Sequence, residues 1–485
     1  MAGKKVTGAH RGIHRRNLIY YTLYPYVRAF FFQYYGKVEI NGREHIPRGE
    51  PVIFAPNHQN ALMDALIVLF AAPQDVVFLA RADIFNKPFL AFLLNSLKIL
   101  PVFRQRDGAT ELAKNEEIFD ICVDMLKKRH YLCIMPEGNH GDVRRLRAFG
   151  KGIFRIAFTA QAEHGDRPFV KIIPVGIDFG DYVKQHASLY VNFGTPVEMS
   201  DYWAEYEENN PRALNAVKAR LIDELRPLMV DIRSEEYYEA VNGLRGIFND
   251  PMREILGIRG RKLSDRFRAD KEMIARLEAV IAAEAASLEA AAAPEAAPAP
   301  APPAAAPGER SGRMRLLADK VERYMAGVKE LNIRDWVVRD RGYGLLRTLW
   351  RFLSLVVTFP FFLYGFITNI VPFWLPVRLV RNIKDLQFHS SVKAGLGILF
   401  IFPVWYLLLT LLAGIFTFSV AWWIWIAFLV TLLPMGKAAL YWYFRWKKSC
   451  RGSWFAGRLR RRDPAAVELV RLRNEVVKMT RELVR

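Results

Sequence analysis

Four short stretches between residues 55 and 177 carry residue types that can do chemistry. The first is APNHQNALMDA at 55–65, where His58 and Asp64 are separated by five residues. An imidazole beside a carboxylate can take a proton from an alcohol, because the carboxylate fixes the tautomer and stabilises the imidazolium that forms. Alone, a histidine with an aspartate this close is more often a capped helix start. The second stretch, ILPVFRQRDG at 99–108, places Arg104 and Arg106 at the end of a strand. Two guanidinium forks suit a phosphate, while Asp107 and Glu111 offer the plainer alternative of surface ion pairs. The third, CIMPEGNHGD at 133–142, contains a Pro-Glu-Gly turn in which Gly138 is free to take a positive φ and Glu137 is expected to reach a substrate hydroxyl. Just downstream, Lys151 stands at an expected helix start, a further anion contact. The fourth, VKIIPVGI at 170–177, holds Pro174 and reads as a pocket wall without reactive groups.

These stretches need a frame. Short β-branched or aromatic runs at 51–55, 76–80, 99–103, 131–135, 170–175 and 189–193 read as strands. Segments of helical length at 61–72, 110–128 and 146–161 lie between them, and a charged helical stretch follows at 211–233. The alternation predicts an α/β domain with a largely buried sheet.

The order and spacing of the four stretches resemble the glycerolipid acyltransferase family, the glycerol-3-phosphate and 1-acylglycerol-3-phosphate acyltransferases, over roughly residues 40–245. The resemblance implies an α/β acyltransferase domain with a mixed buried sheet flanked by helices. It implies His58 as general base with Asp64 as its partner, and Arg104 as phosphate-binding arginine with Arg106 as the second choice. Glu137 and Gly138 match the substrate-binding Pro-Glu-Gly block. No cofactor is implied, only acyl-CoA or acyl-carrier protein as co-substrate, and no metal. Two departures stand out. The commonest spacing in the family leaves four residues between histidine and aspartate, where Met63 would be the acid. The longer spacing here resembles the yeast-type glycerol-3-phosphate acyltransferases, and the turn at 57–58 is expected to absorb the extra residue. Asn139-His140 replaces the usual Thr-Arg, with His140 expected at the surface.

Composition supplies the setting. Of 485 residues, 52% are hydrophobic, and the formal charge is +20; mean hydropathy is +0.04. Such a chain seeks anions, and the basic residues flank apolar runs, which favours a bilayer with anionic headgroups over nucleic acid as partner. Three cysteines with no metal or disulfide spacing indicate a reducing compartment. The expected organisation is a basic, aromatic interfacial helix at 1–45, the acyltransferase domain at 46–245, and a helical extension at 246–290. An Ala/Pro linker at 291–311 and a basic helical segment at 312–347 follow. Residues 348–444 form a C-terminal helical membrane domain and 445–485 a basic cytoplasmic tail. Within the apolar block we expect a re-entrant pair at 349–376, kinked at Pro360, and a hairpin at 396–433 turning at Gly414, with three ordinary spans as the alternative. The absence of acidic residues from both runs argues against a transporter. The reading is a phospholipid-synthesis enzyme of a bacterial inner membrane with its catalytic domain on the cytoplasmic side. Its substrates are a glycerolipid phosphate and an acyl donor. A lysophospholipid acyltransferase, a transacylase and a decayed scaffold are the alternatives.

Overall fold

The computed structural model describes residues 12–15, 17–103, 114–141, 143–292, 312–383, 386–416 and 422–485. It divides into two units. One comprises residues 1–231 with 376–402, the other 232–375 with 403–485.

The first unit is built on one mixed sheet. Its strands are β1 (Lys37–Asn41), β2 (Val52–Pro56), β3 (Val76–Arg81), β4 (Ile99–Val102), β5 (Tyr131–Cys133), β6 (Lys171–Phe179), β7 (Ser188–Phe193) and β8 (Val197–Glu198). The order is β1-β7-β6-β2-β5-β3-β4, with β8 beside β6. Strands β6, β2, β5, β3 and β4 all run parallel, whereas β7 and β8 run antiparallel to β6. Strand β2 is buried at all five positions between β5 and β6. A parallel strand covered on both faces shows no alternation, which is why this run is apolar throughout.

Helices α1 (Leu18–Tyr34), α2 (Leu62–Ala71), α3 (Pro88–Ser96), α4 (Lys114–Lys127), α5 (Gly152–Gln161), α6 (Trp203–Glu208) and α7 (Asn210–Leu225) flank the sheet. Residues of α4, α5 and α7, among them Met125, Phe154 and Leu221, join sheet residues such as Ile53 and Leu132 in one apolar cluster. The aromatic α1 buries Tyr20, Phe30 and Phe31, and Phe31 packs 5.2 Å from Phe70 of α2. The expected interfacial helix therefore has a packing face as well as exposed residues such as Leu18.

One local expectation fails for a visible reason. The helix expected from residue 146 begins only at Gly152. Before it, the Leu146 N–H donates to Asp231 Oδ1 at 2.9 Å and the Gly150 N–H to the Pro136 carbonyl at 2.8 Å, so the backbone is satisfied without helix. Strand β1 and helix α3 were not anticipated. The former is the edge strand KVEIN, and the latter, PFLAFLLNS, has no polar stripe to set a period.

In the second unit, α8 (Tyr238–Ile255), α9 (Leu263–Ala292), α10 (Arg313–Glu330) and, at the far end of the chain, Pro464–Val484 pack together. The buried Arg473 donates to Asp335 at 2.8 Å, and Tyr324 donates to the same carboxylate at 2.7 Å. Residues 445–485, expected as a tail, are thus largely helical and in part buried.

Between α10 and that last helix, α17 (Pro464–Val484), the chain forms α11 (Asp335–Arg339), α12 (Leu345–Val357), α13 (Phe359–Leu379), α14 (Leu386–Leu396), α15 (Phe402–Phe416) and α16 (Trp422–Arg460). A π-helical stretch at Gly397–Ile401 joins α14 to α15. Among the described residues three helices are long and apolar enough to cross a membrane: Phe359–Asn382, His389–Ile415 and Trp422–Arg460, with mean hydropathies of 1.4, 2.4 and 1.7. The helix is interrupted between α12 and α13 at Thr358, so Pro360 falls in the first turn of a helix, where a missing N–H costs nothing. Gly414 is not the expected turn. It lies within α15 against the Trp425 ring, and a Cβ there would come within 2.8 Å of it. Gly365 of α13 likewise admits the Met435 carbonyl of α16, the close approach that small residues allow between apolar helices.

Candidate active site

Strands β2, β5 and β6 run parallel, so their C-terminal ends deliver three loops to one edge of the sheet. These loops begin at Asn57, Ile134 and Gly180. This edge is where an open parallel sheet accommodates a ligand.

The loop after β2 is tied down before it reaches His58. The Asn57 side chain donates to the Ile177 carbonyl at 3.0 Å and accepts from its N–H at 2.7 Å, continuing the β2–β6 ladder through a side chain. His58 follows with its ring 15% exposed, and its Nδ1 lies 2.8 Å from Asp64 Oδ2, which is fully buried in the first turn of α2. A carboxylate can only accept, so Nδ1 carries the proton and Nε2 presents its lone pair. The same Asp64 oxygen accepts from the backbone N–H groups of Gln59 at 2.9 Å and Asn60 at 2.7 Å. One carboxylate oxygen thus fixes both the ring and the loop that carries it.

The five-residue spacing is accommodated at Ala61, not at Asn57–His58. Met63 N–H donates to the Asn60 carbonyl at 2.9 Å, closing a tight turn. Within it Ala61 has φ +46° and ψ −119°. This is the first central position of a type II′ turn, which normally demands glycine.

The Pro-Glu-Gly block packs against the loop after β2. Gly138 has φ +73°, as its turn requires, and its N–H donates to the Met135 carbonyl at 3.1 Å. The Glu137 side chain, however, is only 1% exposed, with Oε1 accepting from the His58 N–H at 3.1 Å and Oε2 from Arg147 Nε at 2.6 Å. Arg147 also donates to the His58 carbonyl at 3.0 Å and to the Asn139 carbonyl, and the Gly141 N–H reaches the same His58 carbonyl at 3.2 Å. Both backbone groups of His58 are therefore held by this block. Burial raises the Glu137 carboxyl above its ordinary pKa, and Arg147 and the His58 N–H partly offset that.

His140 is not a bystander on the surface: its ring stands edge-on to His58, centroids 5.7 Å apart. Lys151 is exposed at the N-cap of α5, directly after Gly150 with its bond to Pro136. Arg104 and Arg106 lie outside the described residues, the last described position of that block being Phe103. Among the described residues no group of three or more His, Cys, Asp or Glu is arranged to hold a metal ion.

Sequence reasoning missed Arg147, Gln59 and Tyr182. Tyr182 donates to Gln59 Oε1 at 2.7 Å, bracing the loop after β2 from the one after β6. Arg147 sits in the run VRRLRAF, where nothing local separates it from Arg144 or Arg145.

Residues 37–178 match the family model described as Acyltransferase, a span that contains every candidate residue above from His58 to Lys151. A chloroplast 1-acyl-sn-glycerol-3-phosphate acyltransferase of Arabidopsis thaliana is 26% identical over 140 residues, 29% of this chain and 35% of that protein. One from Brassica napus is 27% identical over 122 residues, 25% and 33% of the two chains. A third, from Cocos nucifera, is 25% identical over 162 residues, 33% and 49%. The chain thus spans between a third and a half of the length of the curated relatives it matches. The crystal structure of a Thermotoga maritima 1-acyl-sn-glycerophosphate acyltransferase aligns over 42% of this chain and 78% of that one, with 20% identity and a TM-score of 0.31. The sequence matches support a glycerolipid acyltransferase family for this segment.

Proposed function

We propose that the protein transfers a fatty-acyl group from a thioester donor, acyl-CoA or acyl-carrier protein, to the free hydroxyl of 1-acylglycerol-3-phosphate. The observation that carries this reading is the His58–Asp64 pair, joined at 2.8 Å with Nε2 left to face a substrate. The relatives named above, all 1-acylglycerol-3-phosphate acyltransferases, favour that acceptor. Glycerol-3-phosphate is the second acceptor, favoured by the five-residue spacing between His58 and Asp64.

In the proposed step, His58 Nε2 takes the hydroxyl proton as the oxygen attacks the thioester carbonyl. Asp64 holds the Nδ1–H and stabilises the imidazolium. The tetrahedral intermediate collapses with loss of the thiolate, which recovers the proton from Nε2. A thiolate leaves readily, so the acid half of the cycle asks little of the enzyme. Arg104, with Arg106 as second choice, would hold the substrate phosphate, with Lys151 as a further anion contact. Glu137 would act by positioning His58. The long apolar helices fit a membrane-bound protein whose acceptor and product stay in the leaflet. We place it in a bacterial inner membrane with the catalytic unit on the cytoplasmic side, following the basic residues that flank the apolar runs.

The test is acyl transfer by the purified protein in detergent, with labelled acyl-CoA and each acceptor in turn. Turnover that vanishes in His58→Ala is expected, fastest with 1-acylglycerol-3-phosphate. Faster turnover of glycerol-3-phosphate would move the acceptor. No transfer to either from several donors would overturn the reading.

A further inference from the structure

A hydroxyl from far along the chain closes the strained turn in the catalytic loop. Ser391, in α14, lies in the same unit as the sheet, and it is 4% exposed. Its Oγ accepts from the Leu62 N–H at 3.0 Å and donates to the Asn60 carbonyl at 3.4 Å. Those two residues flank Ala61, the non-glycine residue with φ +46° and ψ −119°. Asn60 in turn gives its N–H to Asp64, and Leu62 opens the helix that carries Asp64. The neighbours of Ser391 act on adjoining loops. Ser390 donates to the Tyr182 carbonyl, and the Lys393 ammonium to that of Val183 at 2.6 Å. Tyr182 is the residue whose hydroxyl braces Gln59.

We propose that Ser391 is a positioning residue for the acyl transfer: its hydroxyl staples the Asn60–Met63 turn shut, so that an alanine can occupy a glycine conformation and Asp64 stays in register with His58 Nδ1. This rests on the acyl-transfer reading. An alanine at this backbone position is strained, and such strain persists only where surrounding contacts over-determine it. The staple supplies two of those contacts, and the Leu62 N–H has its partner in Ser391. Without the hydroxyl the turn is free to relax, and the carboxylate in the first turn of the helix it opens moves with it. The reaction would then slow because the base is misoriented, while the acceptor site is untouched.

A direct consequence is that the need for the staple depends on residue 61. Glycine adopts this conformation without a Cβ penalty. Ala61→Gly should therefore make Ser391 dispensable, a coupling that a general loss of stability would not produce.

The experiment uses the full-length protein in detergent: wild type, Ser391→Ala, Ala61→Gly and the double variant, each checked by its thermal midpoint. Acyl transfer to 1-acylglycerol-3-phosphate is measured, together with the rate at which diethylpyrocarbonate modifies His58, mapped by mass spectrometry. We expect Ser391→Ala to lower kcat by about tenfold with KM for the acceptor unchanged, since small misplacements of a reacting group carry losses of up to ~10²-fold. We expect faster modification of His58, and recovery of both readouts in the double variant. Full activity in Ser391→Ala would overturn the proposal, as would a loss that Ala61→Gly does not repair. A wild-type protein inert towards every acceptor would count against the acyl-transfer reading. The modification rates would then still decide the staple, with unchanged reactivity in Ser391→Ala sinking it.

Discussion

The loop after β2 and the loop after β5 reach the same edge of the sheet, and both carry an ionisable group that sequence reasoning set against a substrate. They differ in what that group has left to offer. In the first, Asp64 satisfies His58 Nδ1 and two backbone donors, so the partner is committed while Nε2 of the ring stays open. In the second, both Glu137 oxygens are engaged by the His58 N–H and by Arg147, and the side chain is buried. A motif therefore marks a place in the site without telling the group that reacts from the group that holds it. The hydrogen bonds leave one ring nitrogen of His58 open and engage both Glu137 oxygens.

Substitutions break or sharpen this contrast. His58→Ala should lower turnover by ~10²–10⁴-fold, the usual worth of a positioned base, with the thermal midpoint hardly changed. Asp64→Asn should follow closely in kcat. It should also destabilise the fold by about 1–3 kcal/mol, because a neutral amide oxygen accepts more weakly from the three donors and an NH2 group replaces a buried oxygen that has no partner; a denaturant titration measures this. Glu137→Gln keeps an acceptor for the His58 N–H and loses the ion pair. About a tenfold loss in kcat with KM for the acceptor unchanged is expected, well below the ~10²-fold cost of a misplaced reacting group. A rise in KM as the main effect would instead make Glu137 a substrate contact and dissolve the contrast.

The pH dependence of stability gives a subtler test of the same residue. Burial raises the folded-state pKa of Glu137 above its ordinary value of 4.5. Its contribution is full below that value and is lost as pH rises through the raised one, because a buried carboxyl must then ionise. Wild type should thus lose stability relative to Glu137→Gln as pH climbs from about 4.5, followed by denaturant midpoints across that range. The smallest effect concerns the thiols: Cys122 is buried and its pKa is pushed up to about 12, and burial raises Cys133 as well. Neither should react with maleimide in the folded protein at neutral pH, which mass spectrometry checks.

Much of the frame was legible because it is local. The six strand runs read from the sequence correspond to β2 through β7, and the buried run Val52–Pro56 announced the central strand by its lack of alternation. The His58–Asp64 hydrogen bond was also foreseeable, since a strand end and the next helix start must lie close. The rest depended on distant partners. Arg147 is one arginine among several until the fold aims it at Glu137. Ala61 gives no sign in sequence that it occupies a glycine conformation. The burial of Glu137 and its bonds to Arg147 and the His58 N–H give no sign in the sequence either, where an acid on a turn looks exposed.

The unit that holds the site is not continuous in sequence, and this has a consequence for its biosynthesis. The Leu62 N–H and the Ser391 hydroxyl that accepts from it are 329 residues apart. Translation at ~5–20 residues per second separates their appearance by roughly 15–65 s. During that interval the sheet and its histidine exist on the ribosome without the segment that completes the loop, and a nascent chain released early would carry every motif and lack the last brace.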